Sequence, residues 1–98
     1  MDIRIQSLKF DADSKLIDFI EKKLSKLTKF NDEILSVEVT LSLLPDYENK
    51  DVKMKIEIPG TTDLVVERHS QKFEDAVVDC IGVLKDLLVK VKEKKRDK

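Results

Sequence analysis

The stretch LIDFIEKKLSKLTKFNDEILSVEVTL, residues 16–41, changes its hydrophobic period partway along and so decides the fold. Its first half places apolar residues at helical spacing, within one arc of about 100°; these are Leu16, Ile17, Ile20, Leu24 and Leu27. After FNDE at residues 30–33 the apolar residues alternate, as in a half-buried strand; these are Val37, Val39, Leu41 and Leu43. The stretch therefore predicts an amphipathic helix from Lys15 to Lys29, capped by Asp13 or Ser14, and then a strand.

The segments on either side extend this pattern. IRI at residues 3–5 alternates, and the shifted phase of Leu8 and Phe10 predicts a first strand with an irregularity near Gln6–Ser7. VKMKIEI at residues 52–58 predicts a strand, Pro59-Gly60 a type II turn, and DLVVERH at residues 63–69 a fourth strand of weaker pattern. A long helix is predicted from residue 70 or 71, with a core face formed by Phe73, Val77, Cys80, Ile81, Leu84, Leu88 and Val91.

The element order is β-α-β-β-β-α, which predicts an α+β fold. The first two strands flank a helical crossover and should be parallel, while the last three should form a meander. We expect a single domain over residues 1–98, with a four-stranded sheet and both helices packed on one face.

Charge is distributed unevenly along the chain. Residues 14–30 have a net charge of +3 and residues 85–98 a net charge of +4, while the whole chain has −1, so the remaining residues sum to −8. No apolar run is long enough for a membrane span and no signal peptide is apparent, so we expect a cytoplasmic protein. Cys80, the single cysteine, lies among apolar residues and is predicted to be a buried structural thiol.

The residues needed for catalysis or metal binding are not grouped in this sequence. His69 is the single histidine, and two glycines, Gly60 and Gly82, cannot form a phosphate-binding glycine loop. We therefore expect no enzyme activity, catalytic residue, metal site, cofactor or small-molecule substrate. With no tryptophan and one tyrosine, a nucleic-acid binder of this composition should contact phosphate and shape rather than splayed bases.

The lysines of the first helix form a stripe opposite its core face. Lys15, Lys22, Lys26 and Lys29 fall within an arc of about 60°. Such stripes are most often solvated surface. Here, however, the second basic segment lies on the other helix, and two adjacent basic helices on an acidic body are typical of a polyanion-binding surface. A membrane is a poorer partner, because the sheet already needs the apolar face of each helix.

Nearly the whole chain resembles the short-form ribosome hibernation factors, which include hibernation promoting factor and ribosome-associated inhibitor A. Some members were formerly named sigma-54 modulation proteins. The resemblance rests on residues 16–41, on the element order and on the closing LVKVKEKK at residues 88–95. It implies a fold similar to a double-stranded RNA-binding domain.

The resemblance also implies a function. Such a protein would occupy the messenger and transfer RNA channel of the small ribosomal subunit, contact ribosomal RNA through basic residues of both helices, and inhibit translation. The matching positions are Lys22, Lys23, Lys26 and Lys29 on the first helix and Lys90, Lys92 and Lys94 on the second. With the other lysines of the two basic segments, the predicted RNA-binding set is Lys15, Lys22, Lys23, Lys26, Lys29, Lys85, Lys90, Lys92, Lys94 and Lys95.

The second helix departs from the family pattern D-K-L-x-R-Q-L-x-K-H-K. The corresponding stretch here is GVLKDLLVKVK, residues 82–92, with Val83, Asp86, Leu87 and Val91 in place of polar or basic residues. Asp86 would repel phosphate, and the three apolar residues widen the apolar arc. The alternative hypothesis is therefore a divergent homodimeric or protein-interaction module of the same fold, pairing through the second helix.

Overall fold

The computed structural model describes residues 1–45 and 49–96, and it confirms the predicted α+β fold and element order. The strands are β1 (Asp2–Ser7), β2 (Ser36–Leu43), β3 (Lys50–Glu57) and β4 (Leu64–Ser70). The helices are α1 (Ser14–Ser25) and α2 (Phe73–Arg96), and a 3₁₀ helix, η1 (Lys26–Lys29), continues directly from α1.

The four strands form one sheet in the order β1-β2-β3-β4. β1 pairs with β2 in parallel, and the pairs β2–β3 and β3–β4 are antiparallel, as the crossover and the meander predict. Residues that are buried on one face of the sheet meet in register, for example Val39 opposite Met54. They pack against the apolar faces of both helices, where Ile20, Leu24, Leu84 and Leu88 are fully buried.

The first helix begins where the sequence predicts. Asp13 is the N-cap, and its Oδ1 accepts a hydrogen bond of 2.8 Å from the Leu16 backbone N–H. The helix does not remain α-helical up to Lys29, because the last turn tightens into η1 from Lys26 onward. The second helix begins at Phe73 rather than at residue 70 or 71, since β4 continues to Ser70.

The predicted irregularity in β1 lies later than expected. Pairing with β2 continues unbroken from Asp2 to Ser7, so the ladder has no bulge near Gln6–Ser7. The backbone turns instead at Lys9, which has a φ of 66° in the left-handed region. This turn directs Phe10 onto the ring of Phe73, with the ring centroids 5.3 Å apart.

The Pro59-Gly60 turn agrees with its sequence. The Thr61 backbone N–H donates to the Ile58 carbonyl at 3.4 Å, which closes the four-residue turn. Gly60 has a φ of 77°, the positive value that a type II turn requires at its second central position.

The apolar excess on α2 packs against the protein itself. Val83, Leu87 and Val91 are half-buried and contact the core cluster, because α2 lies across β3 and β4. This packing accounts for their apolar character without a partner, and pairing of two copies through α2 stays a prediction. Within residues 1–45 and 49–96, neither helix combines the length and apolar character that a membrane span needs.

Candidate nucleic-acid interface

Four of the predicted lysines meet at one groove, which lies between the α1–η1 segment and the middle of α2. This lysine groove has a volume of about 330 Å³. Its rim carries Lys23, Lys26, Lys29 and Lys85. Its floor is apolar and consists of Leu27, Phe30, Val78, Ile81 and Gly82.

Lys29 lies at the end of the 3₁₀ turn that begins at Lys26. In an α-helix, the three steps from Lys26 to Lys29 rotate the side chain by about 300°, so the two lysines would lie about 60° apart around the axis. In a 3₁₀ helix, with about three residues per turn, the same three steps complete one turn, so the two side chains eclipse. The tightening therefore brings Lys29 more closely into line with Lys26, and both line the groove.

Aromatic rings contact two of the rim lysines. The Lys85 Nζ lies 5.5 Å from the centroid of the Phe30 ring, across the groove from α2 to the end of η1. The Lys23 Nζ lies 5.5 Å from the centroid of the Phe19 ring on the same helix. Both distances are within cation–π range, and the Phe30 ring, which lines the groove, favours a position of Lys85 close to it.

The charged side chains that line the groove are all basic. No acidic side chain lines it among the residues that the structure describes. In the same part of the chain, the ion pairs within 4.0 Å are Arg4–Asp2 and Lys55–Asp63, and neither involves a rim lysine. The four ammonium groups therefore add their potentials, which favours an anionic ligand.

Two predicted lysines of α1 lie away from this groove. Lys15 and Lys22 are exposed and are not among the groove-lining residues. Asp18 and Glu21 are exposed on the same helix, which lowers the net positive charge along its length. These two lysines can add to a positive field, but the fold does not bring them to the groove.

The last turns of α2 lie beside a second groove. It has a volume of about 610 Å³ and separates the end of α2 from the β3–β4 turn. Lys90 and Lys94 line it together with Asp63 and Glu93, so its charges balance. Apolar side chains of Leu64, Leu87 and Val91 complete the lining.

Lys92 lines neither groove. Lys92 is half-buried on α2. The side chain of Lys95 lies outside the described residues. Six of the ten predicted lysines thus form two groups, a concentrated group of four between the helices and a mixed group of two beside the β3–β4 turn.

The acidic residues of α2 are spread along the helix. Glu74 and Asp75 occupy the first turn, where they complement the positive end of the helix dipole. Asp79 and Asp86 are exposed further along. Asp86 follows Lys85 directly and is therefore close to the lysine groove in sequence, although it does not line it.

The remaining reactive side chains have structural surroundings. Cys80 is fully buried, its Sγ donates to the Val52 carbonyl at 3.6 Å, and burial raises the pKa of its thiol to about 11. The thiol is therefore buried and structural, as predicted. His69 is exposed at the end of β4. The described residues contain no group of three or more His, Cys, Asp or Glu side chains that could hold a metal ion.

Sequence reasoning did not identify the aromatic and small residues of the groove. Phe30 belongs to FNDE, which by pattern only ends the helix, and Gly82 stands out in the sequence only as a glycine too isolated for a phosphate-binding loop. The available signal was the position of Phe30 immediately after the last lysine of the stripe. An aromatic residue at that point can pack beneath a neighbouring helix and present the face of its ring to a lysine of the basic surface.

Comparisons with known proteins agree with the architecture. Residues 3–96 match the model of the family described as Sigma 54 modulation protein / S30EA ribosomal protein, which confirms the family resemblance of the sequence. A ribosomal subunit interface protein from Coxiella burnetii is 22% identical with a TM-score of 0.85, over 95% of this chain and 99% of that chain. The Protein Y N-terminal domain of Thermus thermophilus is 22% identical with a TM-score of 0.80, over 93% and 99% respectively. No curated protein matches the chain.

Proposed function

Because the chain belongs to the sigma 54 modulation protein / S30EA ribosomal protein family, we propose that it binds the small ribosomal subunit and inhibits translation. It occupies the channel of messenger and transfer RNA and contacts ribosomal RNA through basic residues of both helices. Its place of action is then the cytoplasm, where ribosomes work. It makes and breaks no covalent bond; it acts by occupying a site that translation needs.

The observation that carries this proposal is the lysine groove. Lys23, Lys26, Lys29 and Lys85 come from two helices and meet on one side of the protein without an acidic residue in the lining that the structure describes. A phosphate backbone releases condensed counterions when ammonium groups neutralise it, and this release drives binding at low salt. Four neighbouring ammonium groups supply that driving force at one place.

The open face of the sheet, on the side opposite the helices, orients the protein relative to RNA. The open face of the sheet carries more acidic than basic side chains, and RNA phosphates repel it. The acids at its outward positions are Asp2, Glu38, Asp51, Glu57 and Glu67, and the bases are Arg4, Lys53 and Lys55. The protein therefore approaches RNA with its helices foremost.

Lysine neutralisation tests the proposal. The variant K26Q/K29Q removes two positive charges from the groove rim, where both side chains are exposed and outside the core. We expect weaker retention on small subunits, and a plot of log affinity against log salt whose slope falls by about 0.7–0.9 for each phosphate that is no longer neutralised. Co-sedimentation with small and large subunits at several salt concentrations measures both quantities.

A matched control separates the groove from net charge. The variant K53Q/K55Q removes the same two charges from the open face of the sheet. It should leave the affinity and the salt slope close to those of the native protein. Equal reductions for the two variants would mean that charge alone drives binding, and binding of the native protein that ignores salt would exclude a phosphate-driven interface.

A further inference from the structure

The lysine groove has an apolar floor that phosphate contacts leave unused. Phe30 is half-buried there, and Val78, with 49% of its surface exposed, borders it. Gly82 is exposed on α2 and a Cβ built on it would meet nothing within 4 Å, so the helix backbone is open to the groove. A partly exposed apolar floor between the ammonium groups of two helices suits a ligand that is both flat and anionic.

We propose that the lysine groove receives one unpaired nucleotide of the bound RNA. The base lies against Phe30 and the backbone at Gly82, and the flanking phosphates lie among Lys23, Lys26 and Lys29. This inference rests on the proposed function, because it concerns the same surface. It adds a requirement for RNA with an unstacked nucleotide rather than for an uninterrupted duplex, and so departs from the expectation from composition that the protein contacts only phosphate and shape.

The size of the groove favours a single nucleotide over a protein segment. A volume of about 330 Å³ is at the lower end of sites that hold small molecules. An amphipathic helix would need a longer groove, because its anchors recur over several turns. Because the charged residues on the rim are all lysines, the groove favours a small flat group that carries a phosphate.

The contact between Lys85 and Phe30 is compatible with base entry. The Lys85 Nζ is 5.5 Å from the ring centroid, and cation–π contacts of exposed side chains are weaker than stacking of a base on an aromatic ring. An entering base therefore displaces the ammonium group from the ring, and the adjacent phosphate receives it. The positive charge stays within the site.

A bulky side chain at position 82 tests this inference without changing a charge. The variant G82L fills the groove, adds no clash at its Cβ, and replaces glycine by a better helix former. We expect its affinity for small subunits to fall by about 5- to 150-fold, the range that removal of one base–aromatic stack produces. The matched control V89F adds bulk on the exposed side of α2 outside the groove and should bind as the native protein does.

A second measurement concerns the RNA. Short RNA hairpins are compared as an uninterrupted duplex, with one bulged 2-aminopurine, and with an abasic residue at the bulge. We expect the native protein to bind the hairpin with the bulged base more tightly than the duplex or the abasic hairpin, and to change the fluorescence of the 2-aminopurine. G82L should lose this preference. Circular dichroism and thermal unfolding establish that both variants are folded.

The outcomes separate this inference from the proposed function. If K26Q/K29Q weakens subunit binding while G82L does not, the lysines bind phosphate and the inference is overturned. If the native protein shows no preference for the bulged base, whether both hairpins bind or neither does, the inference is also overturned. If an acidic peptide displaces RNA from the groove, and G82L blocks binding of that peptide but not of RNA, the floor belongs to a protein partner and the inference is overturned.

Discussion

Asp51 is a buried carboxyl whose replacement should stabilise the protein at neutral pH. It lies on β3 with 5% of its surface exposed, and its Oδ2 accepts a hydrogen bond of 3.4 Å from the Ser42 hydroxyl. Burial is the largest cause that raises its pKa from 3.8 to about 6, and the neighbouring Glu67 acts in the same direction. Ser42 and His69 oppose the shift but do not cancel it.

The pKa of Asp51 determines whether the free energy of unfolding rises or falls with pH. Well below pH 3.8 the carboxyl is neutral in both the folded and the unfolded chain, and it contributes no pH dependence. Between pH 3.8 and about 6 the folded chain binds more protons, so the free energy of unfolding falls as the pH rises. Since each pKa unit corresponds to about 1.4 kcal/mol, the cost at pH 7 is about 3 kcal/mol.

The substitution D51N keeps the shape of the side chain and removes its charge. The amide oxygen can still accept from Ser42, and the amide N–H₂ can donate to the Glu67 carboxylate, as a protonated Asp51 would. We expect D51N to raise the free energy of unfolding by about 3 kcal/mol at pH 7 and by nearly nothing at about pH 3.5. Urea unfolding at half-unit steps between these values measures the difference.

The test is the difference between D51N and the native protein in the free energy of unfolding as a function of pH, because titrations common to both proteins cancel in this difference. The control D18N removes one negative charge from an exposed position on α1. A D51N curve that runs parallel to the native one from about pH 3.5 to 7 would refute the reasoning, since it would mean that Asp51 titrates alike in the folded and unfolded chains.

Three further predictions concern single residues. D86R replaces a negative charge beside Lys85 with a positive one, so it should tighten small-subunit binding and steepen the salt dependence of that binding by a slope of about one. Co-sedimentation at several salt concentrations measures both effects. An unchanged slope would mean that RNA does not approach this side of α2. D13A removes the cap on Leu16 and should cost about 1 kcal/mol in urea unfolding, whereas D13N should recover most of it. The Cys80 thiol, fully buried and with a pKa of about 11, should react with a thiol reagent at about pH 8 only as fast as the chain opens; rapid reaction without denaturant would contradict its burial.

Local pattern alone was sufficient to predict the elements of this protein. The change of period within residues 16–41 identified a helix followed by a strand, and the crossover between β1 and β2 then required a parallel pair. Asp13 as the cap and Pro59-Gly60 as the turn followed from the chemistry of those residue types. The period change, the cap and the turn each depend on residues close together in the chain, and the parallel pair follows from the general handedness of crossovers rather than from particular contacts.

The break after β1 was only partly predictable. The shifted phase of Leu8 and Phe10 shows that the strand cannot continue regularly, but it does not identify the residue at which the backbone turns. Lys9 does so, in a left-handed conformation that lysine seldom adopts. The ring of Phe73 receives Phe10, and this contact joins residues far apart in the sequence.

Which lysines act together was decided by the tertiary structure. By sequence, all ten belonged to two basic helices, and nothing local separated Lys85 from Lys90. In the fold, Lys85 lies against Phe30 beside the lysines of η1, while Lys90 lies beside Asp63 at the β3–β4 turn. Helical spacing fixes the angle of each side chain about its own axis, but the meeting of two helices depends on how both pack on the sheet, which is a property of the whole core.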